Sequence, residues 1–320
     1  MRYIYIYKMN IAFWDNQLCE RGTTVSLYDY AYYNQMILGN KSFIFYDKNR
    51  DSSAEIIVKF KNQFVVHETD DFKEVDHYLL QYKITHIYII KGGWLDSRIS
   101  KVAKNCIHCV FHCDQPHGQI YSSISPVLKG YNSRIPVVPH MVNLPKTTLD
   151  MRDELRIPKN AVVFGGYGGK DSFNIQFVHE TVYIVAAHNP NIYFLFANFH
   201  KFCPDLPNII HVPMITNLEQ KVKFINTTDA MLWARSDGES FGIAIAEFST
   251  LNKPIVCMKI GFLNHARILG DNAFWYNDVV SLFNILTNFN PEKEKHKDWN
   301  AYTDFTPEKV MQIFKKVYLV

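Results

Sequence analysis

The chain has 320 residues, 48% of them hydrophobic and 20% charged. That is the balance of packed globular protein rather than disorder, and it is comfortable for two domains of about 150 residues each. Net charge is only +3, from 34 Lys and Arg against 31 Asp and Glu; the basic residues are scattered, and without a basic face a nucleic-acid partner is not expected.

The opening segment Met1–Asn10 is rich in Tyr and Ile. It reads as an edge strand or extension rather than a signal peptide, because it is short and lacks a small-residue cleavage site. Met9 to Trp14 is a β-type run, and the polar turn Asp15 to Thr24 leads into a helix over Val25 to Leu38. Lys41 to Tyr46 and His86 to Ile90 are strands, the second ending in Lys91-Gly92-Gly93. Cys106 to Phe111 is another, ending at His112, and Ile135 to Val138 is a short one. Strands separated by helical stretches predict parallel sheets with crossover helices.

Asn143 to Asp150, with Pro145 and two threonines, reads as a linker, and the alternation then restarts. Ala161 to Phe164 is a strand followed by the glycine-rich Gly165 to Gly169. Phe177 to His188 is helical. Asn191 to Ala197, Ile209 to Pro213 and Asp229 to Trp233 are strands. Phe241 to Leu251 is a helix, Pro254 to Met258 the next strand, and Thr306 to Val317 a closing helix with Thr306 as cap and Pro307 as first residue. The predicted domains are 1–145 and 146–302, with 303–320 packing back on the first. Two doubly wound α/β units in tandem place strand C-terminal ends toward a cleft.

No stretch of about eighteen apolar residues occurs, so no spanning helix is expected. Six cysteines at this length suggest free thiols in a reducing, cytoplasmic compartment. Cys106, His108, Cys109, His112 and Cys113 crowd along one predicted strand. Strand neighbours point to opposite faces, and a zinc site wants two such pairs separated by a loop, so no metal is expected there.

The segment richest in chemistry is Ser236-Asp237-Gly238-Glu239-Ser240-Phe241-Gly242-Ile243-Ala244-Ile245-Ala246-Glu247. A strand runs into a loop carrying Glu239, and a helix opens near Phe241. Amides around Phe241, Gly242 and Ile243 are available to a diphosphate, aided by the helix dipole. Glu239 and Glu247, eight positions apart, would be about 12 Å apart on a continuous helix. That separation is long for a pair acting on one glycosidic bond. It suits two carboxylates at opposite ends of a longer ligand, one on sugar hydroxyls and one on ribose. The second feature is Gly165-Gly166-Tyr167-Gly168-Gly169-Lys170-Asp171 after a strand. Gly168 and Gly169 let backbone amides approach a phosphate, and Lys170 brings a mobile positive charge.

Glu239 to Glu247 resembles the E-x7-E motif of retaining glycosyltransferases with the GT-B fold, in the large family 4 group. Thr228-Asp229-Ala230-Met231-Leu232 resembles the strand before that motif. Leu251-Asn252-Lys253-Pro254-Ile255-Val256 resembles the strand after it. The resemblance implies that Glu239 contacts donor-sugar hydroxyls and Glu247 the ribose. It gives Lys170 the lysine role in the diphosphate loop. Gly166 stands where the family commonly has an arginine, and Arg235 is the nearby substitute. It implies that His112 touches the donor sugar near its reacting carbon. Gly22 and Thr23, in Arg21-Gly22-Thr23-Thr24, take the place of the family's first glycine loop near phosphate and acceptor. Met214 takes the place that packs the base. Asp114 and His117, in the loop after His112, are acceptor candidates, and His265 and Arg267 read as solvent or packing residues.

The function implied is transfer of a sugar, with retention, from a UDP- or GDP-linked donor to a carbohydrate or glycoconjugate hydroxyl, with no cofactor and no metal. There is no Asp-x-Asp, which counts against the GT-A architecture. An epimerase or phosphorylase on the same frame is the second reading. A non-catalytic nucleotide-sugar-binding or assembly protein is the third.

Overall fold

The computed structural model describes residues 8–129 and 134–320; the expectation for Met1–Asn10 falls largely outside them. The chain divides into two compact units. The first is Met1–Met141 joined by Asp304–Val320, and the second is Val142–Thr303.

The first unit alternates β1 (Asn10–Asp15), α1 (Gly22–Met36), β2 (Lys41–Asp47), α2 (Ala54–Gln63), β3 (Val65–Thr69), α3 (Val75–Gln81), β4 (His86–Lys91), β5 (Lys104–Cys109) and β6 (Ile120–Ser123). All its strand pairs are parallel, in the order β3-β2-β1-β4-β5-β6. Ile11 to Trp14 are all buried, the unbroken apolar run of a strand covered on both faces. On α1, Leu27, Tyr30, Ala31 and Asn34 are buried, a three-and-four spacing that turns one helix face to the sheet.

The second unit contains β7 (Val162–Tyr167), α4 (Gln176–His188), β8 (Ile192–Ala197), β9 (Ile209–Val212), α5 (Leu218–Thr227), β10 (Ala230–Leu232) and β11 (Gly238–Glu239). It continues with α6 (Ile243–Thr250), β12 (Ile255–Cys257), β13 (Phe262–Leu263), α7 (Asn264–Leu269), β14 (Ala273–Trp275), α8 (Val279–Asn288) and α9 (Pro291–Glu294). Its main sheet runs β14-β12-β10-β7-β8-β9, and β11 pairs with β13 apart from it. Phe164, Phe194 and Phe196 from the sheet pack with Val182, Val185, Leu282 and Leu286 from α4 and α8. The Asn143–Asp150 segment lies against α5, where Asn226 Nδ2 donates to Thr147 O at 2.9 Å and Leu149 O at 3.0 Å.

Helix α10 (Pro307–Tyr318) belongs to the first unit. Thr306 caps it and Pro307 opens it. Val310, Met311, Phe314 and Tyr318 form its buried stripe. The Phe314 ring lies 5.3 Å from Tyr30 and 5.3 Å from Tyr88. Each such buried side chain contributes about 1.5–3 kcal/mol.

In both units the first strand lies in the middle, and the chain winds first to one edge and then to the other. The order reverses between β1 and β4 and between β7 and β10. In open α/β sheets, ligands bind outside the carboxyl ends of the strands at such points.

Four local expectations need correction. Strand β5 ends at Cys109, so His112 sits three positions into the following loop. Ile135–Val138 forms no strand of its own and makes a single bridge, Ser123 to Val137. Gly165 and Gly166 belong to β7 and not to a loop. Glu239 lies in β11, held by pairing with Leu263.

Candidate functional site

At the carboxyl end of β7 the chain leaves the sheet through Gly168, Gly169 and Lys170, with Gly169 and Lys170 exposed. The loop carbonyls are tied back into the protein. Gly168 O accepts from Asn198 Nδ2 at 2.7 Å, Gly169 O from Ser172 N at 2.9 Å, and Lys170 O from His200 N at 3.3 Å. Gly166 is two residues further back, inside the sheet. A Cβ there would stand 2.8 Å from Leu232 O on β10. Glycine at this position answers to packing, since a side chain here would press on the β10 backbone.

Beyond β10, Arg235 turns toward two carboxylates, Asp237 at 3.4 Å and Glu239 at 3.7 Å. Glu239 Oε1 accepts from Trp233 Nε1 at 3.0 Å. Burial pushes the Glu239 carboxyl up, opposed by the Arg235 charge and the Trp233 hydrogen bond. Helix α6 then starts from Gly242, which takes a left-handed conformation with φ 86° and no capping side chain. Its free amides are those of Ile243, Ala244 and Ile245, two residues later than the amides around Phe241, Gly242 and Ile243 that the sequence suggests. Phe241 is buried, with its ring 5.8 Å from Tyr302, so its side chain serves packing.

Glu247 lies on the second turn of α6 and is only 4% exposed. Its carboxylate is engaged from two elements. Lys221 Nζ on α5 reaches Oε1 at 2.9 Å and Oε2 at 3.3 Å. The Tyr167 hydroxyl, at the end of β7, donates to Oε2. Burial, and next the Glu247 charge, hold the Tyr167 phenol protonated well above its ordinary range. Tyr167 thereby joins the strand leading into the glycine loop to the helix carrying Glu247.

In the first unit, Gly22 and Thr23 open α1, whose first turn holds no acidic residue. Arg21 folds back onto Asp15 and Asn16 rather than outward. Asp15 Oδ2 also accepts from Thr24 Oγ1 at 2.7 Å. Burial raises the Asp15 carboxyl against the pull of Arg21. His112 is exposed, its ring 4.5 Å from that of Trp94. Its amide donates to Gly92 O at 2.8 Å. Asp114 is exposed.

His117 is half-buried in the loop after β5. Its Nδ1 lies 2.7 Å from Gln115 O and its Nε2 3.2 Å from Lys91 Nζ. Lys91 also donates to Asp96 at 2.6 Å and to Arg98 O at 3.0 Å. His117 is part of a latch holding the loops after β4 and β5.

The crowded thiols and histidines divide between two sides of β5. His108 Nδ1 pairs with the Tyr88 hydroxyl at 2.6 Å, and Cys106 Sγ donates to Tyr318 O at 3.8 Å. Cys109 neighbours Cys113. Among the described residues no three His, Cys, Asp or Glu form a metal-binding group. Among them, too, no helix is long and apolar enough to cross a membrane.

Outside the first unit, Met214 is 41% exposed in the loop after β9. His265 is buried on α7, its ring nitrogens 3.1 Å from Phe262 O and 3.0 Å from Met258 O. Sequence reasoning passed over Tyr167 and Lys221. The signal for Lys221 was faint, an Asn217 cap followed by Val222 and Ile225 at helical spacing, and nothing in it points toward Glu247.

No protein-family model matches the chain, and no curated protein matches it by sequence. Solved structures do match it. A glycosyltransferase from Rickettsia africae aligns with a TM-score of 0.69 at 12% identity, over 97% of this chain and 98% of that one. HepE of Anabaena, in complex with UDP-glucose, aligns with a TM-score of 0.66 at 13% identity, over 97% and 95%. Sucrose-phosphate synthase from Thermosynechococcus elongatus aligns with a TM-score of 0.63 at 12% identity, over 97% and 95%. At these identities the likeness is one of fold: the chain has the two Rossmann-like α/β units of the GT-B glycosyltransferases.

Proposed function

We propose that this chain is a retaining glycosyltransferase of the family 4 kind. It takes a sugar from a UDP- or GDP-linked donor and passes it to a hydroxyl of a carbohydrate or glycoconjugate. It works in the cytoplasm, without a resident cofactor or metal. One observation carries the reading: an uncapped helix start, bracketed by Glu239 and Glu247, follows β10 at the switch point of the second unit. HepE, which shares the fold, is solved with UDP-glucose and with UDP and glucose, and this supports a nucleotide-sugar as donor.

The chemistry follows from the residues. The donor diphosphate sits on the amides of Ile243, Ala244 and Ile245, with Lys170 as its counter-charge. Charge grows on the leaving oxygen as the sugar departs, and fixed donors aimed at that charge lower the barrier. Glu239, oriented by Trp233 and Arg235, accepts from sugar hydroxyls, and Glu247 accepts from ribose. The resemblance assigns the donor sugar to His112 and places Gly22 and Thr23 near phosphate and acceptor; Asp114 and His117, in the loop after His112, are the acceptor candidates. Retention is taken from the same resemblance.

The rival reading is donor binding without transfer. It is favoured by Arg235, whose charge is already shared between Asp237 and Glu239. Turnover on an acceptor separates the two.

A thermal-shift screen of nucleotide-sugars tests the reading. At a hundredfold excess over Kd, the donor raises Tm by about 5–10 °C in wild type, and Glu247→Ala abolishes the shift. An unchanged shift in that variant removes the ribose contact.

A further inference from the structure

The Lys221 side chain is only 13% exposed, yet among the described residues its ammonium has a single acceptor group, the Glu247 carboxylate. Its hydrogen bonds go to the two oxygens of Glu247, and the face of Tyr167 lies 5.3 Å away. An ammonium carries three donors, so this one is left with donor capacity that no oxygen among the described residues takes up. Sequestering a charged donor without its full set of partners is costly. The Glu247 carboxylate is the mirror case. Oε2 receives both Tyr167 and Lys221, whereas Oε1 receives Lys221 alone and has a lone pair to spare.

A spare donor and a spare acceptor on neighbouring atoms match one chemical group. A hydroxyl donates its proton and accepts on its oxygen at the same time. We propose that Lys221 and Glu247 together clamp one hydroxyl of the donor ribose, with Lys221 donating to its oxygen and Glu247 Oε1 accepting its proton. Lys221 is thus a binding residue that selects ribonucleotides. Tyr167 is a positioning residue that fixes the carboxylate and ties it to the strand entering the glycine loop. The pair is also neutral as a unit, so Glu247 does not repel the diphosphate beside it. This rests on the assignment of Glu247 to ribose above.

The test is calorimetric titration of the full chain with UDP and GDP, each beside its 2′-deoxy and 3′-deoxy forms. Wild type binds one ribonucleotide about tenfold or more tighter than one of its deoxy forms, the scale of a charge-assisted hydrogen bond. Lys221→Met narrows that ratio to about threefold or less, and Lys221→Arg restores part of it. Because Lys221→Met strands a carboxylate, the doubly neutral Lys221→Met/Glu247→Gln is measured alongside and shows the same narrowing. A purely structural Lys221 would weaken ribo and deoxy forms alike and leave the ratio as in wild type; that result, in either folded variant, overturns the proposal. Binding by wild type with no ribo preference overturns the Glu247 contact as well. No binding of either nucleotide overturns the donor reading itself.

Discussion

Gly166 and Gly168 stand two positions apart and answer to different constraints. Gly168 is in the loop, its carbonyl held by Asn198. Gly166 is in β7, pressed against Leu232 O. Installing an arginine as Gly166→Arg should therefore not strengthen nucleotide binding. Overpacking at a buried strand position costs about 1–3 kcal/mol or more, so the variant should show a lower urea midpoint and no gain in ligand-induced shift. A variant of wild-type stability with tighter binding would show that the position opens outward. At this scale, legibility followed sequence distance. Glu239 and Glu247 share one short motif, and their spacing could be read. Lys221 lies 26 positions from Glu247 and Tyr167 80 positions away, so only the folded chain puts them together. His117 and its partner Lys91 are likewise brought together only by the fold, since Lys91 ends β4.

The elements best read from sequence are those with long runs or explicit end signals. Strands β1, β2, β4 and β8 are continuous apolar stretches, and their bounds lie within about two residues of those observed. Helix α10 carried both a capping threonine and a proline at its first position, and its 308–318 face repeats apolar residues at helical spacing. What could not be read is what tertiary contact decides. Strands β10 and β12, read as Asp229 to Trp233 and Pro254 to Met258, are three residues each, whereas the equally short β14 has too few residues for periodicity and exists because β12 pairs with it. Glycines normally break a strand pattern, yet β7 runs through Gly165 and Gly166. Side chains there would strike Thr228 and Leu232, so close packing of the sheet calls for glycine where local preference reads a loop. The start of α6 shows the converse. Gly242 holds a backbone conformation costing other residues about 1–2 kcal/mol, and this sets where the helix amides begin.

Across the whole molecule, buried histidines set the acid limit of stability. His108 and His140 lie in the first unit's core, and burial pushes His108 down to about 3 and His140 well below its ordinary value. His67, His86, His179, His211 and His265 are lowered in the same way. Between about pH 6.5 and 3 the unfolded chain binds protons that the folded chain refuses, so stability falls as pH falls through that window. Each fully shifted histidine contributes up to about 1.4 kcal/mol per pH unit. Asp15 and Glu239, raised by burial, act in the opposite sense at the lower end, where the folded chain takes up their protons first. Urea unfolding from pH 7.5 to 5.5 isolates the histidine part. The free energy should decline on acidification, and less steeply in His108→Gln; a flat profile would contradict the buried-neutral assignment.

The claim on which the functional account turns is that a nucleoside diphosphate docks on the free amides of α6 and on the loop after β7. Hydrogen–deuterium exchange with and without the stabilising nucleotide-sugar reads those amides directly. Slowed exchange at Ile243, Ala244 and Ile245 together with Gly168 to Lys170 is the predicted result. Protection confined to other segments, with these amides exchanging as fast as in the free protein, would contradict it.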